Sequence, residues 1–457
     1  MRVEVRPFQG ELEGFRRGQM TKLFFKRFLI MKLYTHPDKA NWPAILQRPV
    51  MEVERLDATV QAVLDEVQEK GDAALLAYTE RFDGVKLAEL QVSPAELAEA
   101  ESLLSEPLKA AIQTARANIE RFHSRQAEPV QEVETMPGVR CWRKSVAIEK
   151  VGLYIPGGTA PLFSTVLMLG VPAKLAGCRE IVLCTPPQKD GKVHPAILYT
   201  AKLVGVTHIF KIGGAQAVAA MAYGTETVPA VYKIFGPGNQ YVTAAKQLVS
   251  RRGIAIDMPA GPSEVLVCAD ERANPAFVAA DLLSQAEHGE DSQVVLVSFS
   301  ETFARWVQEA IAEQLASLPR RAIAAKALEN SSAIVVRNRS EALELINAYA
   351  PEHLILSIED AESLGEEVVN AGSIFLGNYT PESVGDYASG TNHTLPTNGY
   401  ARTYSGVSLD SFIKKITFQR LTREGLERLG PAVEEMAEAE ELIAHKHAVA
   451  IRMRKEG

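Results

Sequence analysis

Val151-Gly152-Leu153-Tyr154-Ile155, followed at once by Pro156-Gly157-Gly158, is the stretch on which the fold turns. Its first part is short, β-rich and nearly continuous in apolar character; Pro and Gly then break it. A run of this kind reads as a strand covered on both faces, because a strand with one wet face would alternate. Outward from it, similar runs recur at 181–184, 208–212, 231–235, 265–268, 294–297, 333–336, 354–356 and 374–376. Helical segments separate most of them, and that alternation predicts parallel sheets in an α/β protein. Nine or so strands exceed one comfortable sheet, so two α/β domains are expected. No internal repeat is visible in the sequence.

Upstream, residues 56–70 have helical spacing and stop at Gly71, and 107–122 repeat the pattern. The first 30 residues differ from the rest, with Phe8, Phe15, Phe24, Phe25 and Phe28 among seven basic and three acidic side chains. Glu4, Glu11 and Glu13 argue against a transit peptide. The expectation is a non-native or disordered extension over 1–30, with the working protein starting near Met31. Downstream, 377–406 is rich in Gly, Ser, Thr, Asn and Pro, and a loop of that length is usually functional or disordered. Residues 421–454 are charged and mostly helical, with an interruption expected at Gly430-Pro431.

The chain has 457 residues and a formal net charge of −8, with basic residues scattered rather than striped. Nothing in that pattern suggests a nucleic-acid surface, and no nucleic-acid partner is expected. No run approaches the roughly 20 apolar residues of a membrane span. Cys141, Cys178, Cys184 and Cys268 show no metal-ligand spacing. Sparse, unpatterned cysteine fits a reducing cytosol, and a cytoplasmic location is expected.

Four polar clusters carry the chemistry: Gln285-Ala286-Glu287-His288, Pro351-Glu352-His353, Val384-Gly385-Asp386 and His445-Lys446-His447. Singly, each has an ordinary meaning. His288 can complement a helix end, Glu-His adjacency is common on surfaces, and Asp386 can form a turn. Together they supply nitrogen and oxygen ligands for a zinc-type metal, with a Glu-His pair for proton transfer. Asn274, Pro275 and Gly289 mark the ends of a helix whose last turn places Gln285 and His288 on one face. Glycine turns follow several strands, at Gly157-Gly158, Gly213-Gly214 and Gly236-Pro237-Gly238-Asn239, where backbone can approach a phosphate. None has the spacing of a dinucleotide fingerprint. Clustered, they point to a cofactor cleft. Glu440 and His445 would diverge by about 140° on a straight helix, so they share a site only if the helix bends or the ligand reaches between them.

From about Arg48 to the C-terminus the chain resembles the L-histidinol dehydrogenase family. The resemblance rests on Gly71-Asp72-Ala73-Ala74, Phe82-Asp83-Gly84, Tyr154-Ile155-Pro156-Gly157-Gly158, Gly213-Gly214-Ala215-Gln216 and Gly236-Pro237-Gly238-Asn239. It continues through Gly261-Pro262-Ser263-Glu264, the four clusters, Gly390-Thr391-Asn392-His393 and Ala444-His445-Lys446. It implies two incomplete Rossmann-like domains and a homodimer with shared active sites. It also implies one Zn2+ per subunit, held by Gln285, His288, Asp386 and His445. Glu352 and His353 would be the catalytic pair. Ser263, Gln285, His288, His353, Asp386, Glu440 and His445 would meet the substrate, beside the loop carrying His393. Tyr154, Gln216 and Asn239 would hold NAD. The implied activity is oxidation of L-histidinol through L-histidinal to L-histidine, the last two steps of histidine biosynthesis.

The expected organisation is a helical N-terminal arm over 31–55 and a metal-bearing α/β domain from 56–150 with 264–406. The NAD-binding α/β domain would span 151–263, and a helical dimerisation arm 407–457. Two other classes compete. A zinc hydrolase would share the ligands and the Glu-activated water, but needs no NAD cleft. A related alcohol- or aldehyde-oxidising paralogue would share everything but the substrate. A cysteine-dependent aldehyde dehydrogenase is disfavoured, because no Cys lies in the polar clusters.

Overall fold

A computed structural model describes residues 31–49, 53–157, 160–259 and 261–454. The expected extension over 1–30 lies outside them. In chain order the strands are β1 (Lys32–Thr35), β2 (Glu132–Met136), β3 (Val139–Ala147), β4 (Lys150–Tyr154), β5 (Glu180–Thr185), β6 (His208–Lys211) and β7 (Lys233–Phe235). They continue as β8 (Ala255–Ile256), β9 (Glu264–Ala269), β10 (Gln293–Ser298), β11 (Ser332–Val335), β12 (His353–Ser357), β13 (Ser373–Leu376) and β14 (Ile413–Leu421). All nine apolar runs of the sequence are strands.

The described residues form two compact units. The first holds those up to 50, Pro262–Ser383 and Thr397–Thr403. Its sheet runs β1-β11-β10-β9-β12-β13 and every pairing is parallel. The alternation within β9 shows why it is apolar from Val265 onward. Val265 and Val267 pack into one core, with helices Pro275–Ala286, Glu301–Leu315 and Arg321–Glu329. Leu266 and Cys268 pack into the core on the other face, with Trp42 and helix Arg339–Tyr349. Neither face of the strand meets water.

The second unit comprises the described residues of Met51–Gly261, Val384–Pro396 and Tyr404–Gly457. Its main sheet, β6-β5-β4-β7-β8, is also wholly parallel. Val182 and Cys184 of β5 face one core, Ile181 and Leu183 the other. Taking β4 to β8 as strands one to five, the order is 3-2-1-4-5. Strands β9 to β13 have the same order, with β1 added beyond the third. Each sheet is thus a Rossmann-type half, and the repetition absent from the sequence is present in the topology.

Three expectations need correction. Residues 56–150 fall with 151–261 in the second unit. Val60, Leu64 and Val67 of helix Val53–Lys70 pack with Ala217 and Ala220 of helix Gly214–Tyr223. Ile112 and Ile119 of helix Glu106–Ser124 pack against the opposite face, with Val151 and Leu153. The N-terminal segment is not purely helical, since β1 pairs with β11 and Met31 is buried beside it. The C-terminal arm begins with a long strand: β14 pairs antiparallel with β3, and β3 with β2, in a small third sheet.

The helical tail does not break at Gly430-Pro431. Both lie inside helix Arg423–Ala439. Gly430 is where the following helix, Ile443–Met453, comes close: a Cβ there would meet Met453 Sδ at 2.3 Å. The turn between the helices falls at 440–442, where Glu441 has a φ of 59°.

Candidate active site

In the first unit the chemistry gathers at the amino ends of β9 and β12. The two strands are neighbours, with His353 opposite Val265. Glu352 precedes β12 and its Oε2 accepts the backbone N–H of Glu264 at 2.9 Å. His353 Nδ1 lies 3.3 Å from the Glu264 carbonyl oxygen and 3.6 Å from Glu352 Oε2. A carbonyl only accepts, so Nδ1 carries a proton, and in the neutral ring the lone pair is then on Nε2. Both side chains are buried, and the imidazole stacks on Phe375 with centroids 5.9 Å apart. Side chains on adjacent strand residues diverge, but Glu352 lies outside the strand, and this lets the pair meet.

Behind the pair lies a network that the sequence reading did not assign. Glu264 begins a wholly buried strand, so its carboxylate needs a partner there. Arg48 supplies it with a two-pronged ion pair, one prong at 2.9 Å. The same guanidinium donates to Tyr349 O at 2.8 Å and lies 4.0 Å from the Tyr349 ring centroid. Tyr349 in turn donates its hydroxyl to Gln293 Oε1 at 2.9 Å. Burial pushes the Glu264 carboxyl upward and the Glu352 charge adds to that, while the Arg48 fork opposes both. The legible signal was one acid at the head of an apolar run.

Gln285 reaches the same place from helix Pro275–Ala286, which Asn274 caps by accepting the N–H of Ala276 at 2.9 Å. Its buried carboxamide is satisfied in one orientation. The side-chain nitrogen donates to Glu382 Oε1 at 3.0 Å, and the oxygen accepts from Glu264 N at 3.3 Å. Glu382 Oε1 also accepts the Ser284 hydroxyl at 2.7 Å. One amide, that of Glu264, therefore brings Gln285 and Glu352 together. His288 is exposed just past the helix end, its N–H donating to Gln285 O at 3.2 Å. Ser263 is half-buried immediately before β9.

Asp281 lies one turn before Gln285, and burial pushes its carboxyl up to about 7. The ordinary value is 3.8, so the folded chain binds this proton more tightly than the unfolded chain. Stability from this group is therefore full at low pH and declines as pH rises from about 4 to 7. Thermal unfolding should show Asp281→Asn melting higher than the parent near about pH 8, and equal to it near about pH 4. Equal melting at both would show that the carboxyl is not desolvated.

Asp386, His393, Glu440 and His445 belong to the second unit. Asp386 and His393 are half-buried, and Glu440 and His445 are exposed. The turn at 440–442 separates Glu440 from the helix carrying His445, so the divergence expected on a straight helix does not apply. Among the described residues, no group of three His, Cys, Asp or Glu side chains is gathered as a metal-binding set.

The second unit has a cavity of about 1210 Å³ at the carboxyl ends of β4 to β7, lined in part by Tyr154, Gly213, Gly214, Gln216 and Asn239. In a 3-2-1-4-5 sheet that is the crevice where dinucleotides bind. Tyr154 accepts the Gly214 N–H at 3.1 Å through its hydroxyl. Asn239 Oδ1 caps helix Gln240–Ser250 by accepting from Tyr241 N and Val242 N at 3.1 and 3.2 Å. Gly236 must be glycine: its φ is 129° and a Cβ would stand 2.1 Å from Tyr154 O. The buried Lys246–Asp257 pair clamps this turn, Lys246 donating to Gly236 O at 2.9 Å and Asp257 accepting Gly236 N at 2.8 Å. The three residues expected to hold NAD thus share one cavity, on glycine turns shaped for close approach.

A family model described as histidinol dehydrogenase matches residues 46–453. The chain belongs to the histidinol dehydrogenase family. It is accordingly a dehydrogenase, an oxidoreductase. The histidinol dehydrogenase of Bacteroides thetaiotaomicron is 64% identical over 424 residues, covering 93% of this chain and 99% of that protein. That of Yersinia pestis is 53% identical over 413 residues, covering 90% and 92%. A crystal structure of histidinol dehydrogenase from Elizabethkingia anophelis superposes with a TM-score of 0.91 at 56% identity, covering 93% of this chain and 98% of that one.

Proposed function

We propose that this chain oxidises L-histidinol to L-histidine through L-histidinal, passing two hydrides in succession to NAD, with one zinc ion per subunit. These are the last two steps of histidine biosynthesis. The observation that carries the reading is the Glu352–His353 pair, buried and locked with Gln285 onto the Glu264 amide. The Rossmann-type cavity with Tyr154, Gln216 and Asn239 supports NAD as the acceptor.

The donor set fits zinc. Gln285 and Asp386 offer oxygen and His288 and His445 offer imidazole nitrogen, a borderline-soft mixture suited to that ion. Glu382 holds the nitrogen end of the Gln285 amide, which turns the oxygen inward to the Glu264 N–H, with its second lone pair left for a metal. When bound, zinc would orient the amino alcohol and polarise its oxygen.

His353 Nε2 takes the hydroxyl proton as hydride leaves the carbinol carbon for NAD, forming the aldehyde. Glu352 then accepts a proton from water as its oxygen adds to that aldehyde. A second hydride goes to a second NAD and the carboxylate is the product. Because the Glu264 carbonyl and amide anchor His353 and Glu352, neither has to reorganise between the steps.

The reading includes a homodimer in which Glu440 and His445 serve the partner's site. Met436, Leu442, Ile443 and Ile451 are exposed on the C-terminal helices and the turn between them, which supports a second chain covering them. It also includes a cytosolic setting, supported by four free cysteines. No described helix is long and apolar enough to cross a membrane. The test is stoichiometry. Complete turnover should yield two NADH per L-histidine and stop when a chelator removes the metal. One NADH per substrate, with aldehyde accumulating, is incompatible with the scheme.

A further inference from the structure

The cavity of the second unit carries a buried acid that the scheme above leaves without a task. Asp83 lines it, at the end of the π-helical turn Thr79–Asp83. Its Oδ2 is shut off from solvent and has no hydrogen-bond partner among the described residues. Lys189 lies beside it, yet its Nζ donates to the Asp83 backbone carbonyl, at 2.8 Å, rather than to the carboxylate. The carboxylate also lies close enough to Tyr154 to bear on that hydroxyl, and its own burial pushes its pKa upward. A desolvated carboxylate without a donor is costly, and one kept at the wall of a cavity suits a ligand that brings the donor with it.

The topology says which donor. In a 3-2-1-4-5 sheet an acidic residue after the second strand receives the hydroxyls of the adenosine ribose. Here the second strand is β5, and the chain after it reads Pro186-Pro187-Gln188-Lys189 with no acid. Asp190 follows, but its Oδ1 accepts Lys192 N at 3.0 Å within its own turn. Lys189 instead ties Asp83, from a segment outside the sheet, to that position.

We propose that Asp83 is the ribose-reading carboxylate of this cavity: it accepts the 2′-hydroxyl of the adenosine ribose and repels a 2′-phosphate. The assignment rests on the NAD reading above and extends it to a specificity determinant. Arg81 and Lys189 also line the cavity and pull the other way, toward a phosphate. The outcome therefore depends on the carboxylate.

Binding of NADH, of its 2′-deoxyadenosine analogue and of NADPH to the full chain, followed by nucleotide fluorescence, decides the matter. Asp83→Asn should bind NADH about tenfold more weakly than the parent, the loss expected for one charge-assisted hydrogen bond. The parent should lose a similar factor with the 2′-deoxy analogue, which both proteins should bind equally. NADPH should bind the variant better than the parent. Asp83→Ser gives the same comparison if Asn disturbs the turn. Unchanged NADH affinity in the variant, or an equal loss for NADH and the 2′-deoxy analogue, overturns the assignment while leaving the cofactor reading intact. A parent chain that binds none of the three nucleotides overturns both.

Discussion

His353→Asn should slow both oxidations by about 10²–10⁴-fold, whereas Glu352→Gln should impose a loss of that size on aldehyde oxidation alone. The difference follows from what each side chain does. His353 takes the alcohol proton in the first half-reaction and is needed again when the hydrated aldehyde is oxidised. Glu352 is needed only where water must be activated. The substitutions test chemistry rather than folding. Gln at 352 still presents an oxygen to the Glu264 N–H, and Asn at 353 still presents a donor toward the Glu264 carbonyl. The network of Arg48, Glu264 and Tyr349 behind them is untouched. Each half-reaction is assayed separately, with L-histidinol in single turnover and with L-histidinal as added substrate. Equal losses for Glu352→Gln in both halves would count against water activation by this residue.

The second large effect concerns the shared site. Glu352→Gln and His445→Ala should each leave a homodimer inactive in the full reaction. Refolded together, they should regain activity. In a mixed dimer one site combines both defects and is dead, while the other combines an intact core with an intact tail. A statistical mixture should therefore show about one quarter of parental activity, since half its dimers are mixed and each has one working site. The structure supports an arm that reaches elsewhere: His445 is exposed, and so are Met436, Leu442, Ile443 and Ile451 around it. Verified mixed dimers that remain inactive would place His445 in the site of its own chain.

Local burial left a strong mark on the sequence. Strands β4 to β7 and β9 to β12 are mostly buried on both faces, so most positions are apolar, and each could be read without a partner in view. The strands that escaped notice lack that mark. β14 is mostly exposed and carries Lys, Gln and Arg, and its pairing with β3 rather than burial makes it a strand. β1 is four residues long and lies at a sheet edge.

The same division runs through the site. Glu352 beside His353, Gln285 three residues before His288, and the glycine turns under Tyr154, Gln216 and Asn239 are short-range patterns, and the sequence alone determined them. It determined the α/β class and the family as well. Tertiary structure alone decided that both sheets repeat one strand order, and that the helices of 56–150 cover the second sheet. It alone joined Arg48 to Glu264, 216 positions away, and Asp83 to Lys189, 106 positions away. Such pairs depend on which elements the chain brings side by side. A lone charged residue in a sequence shows that a partner is required, and only the folded chain shows which one.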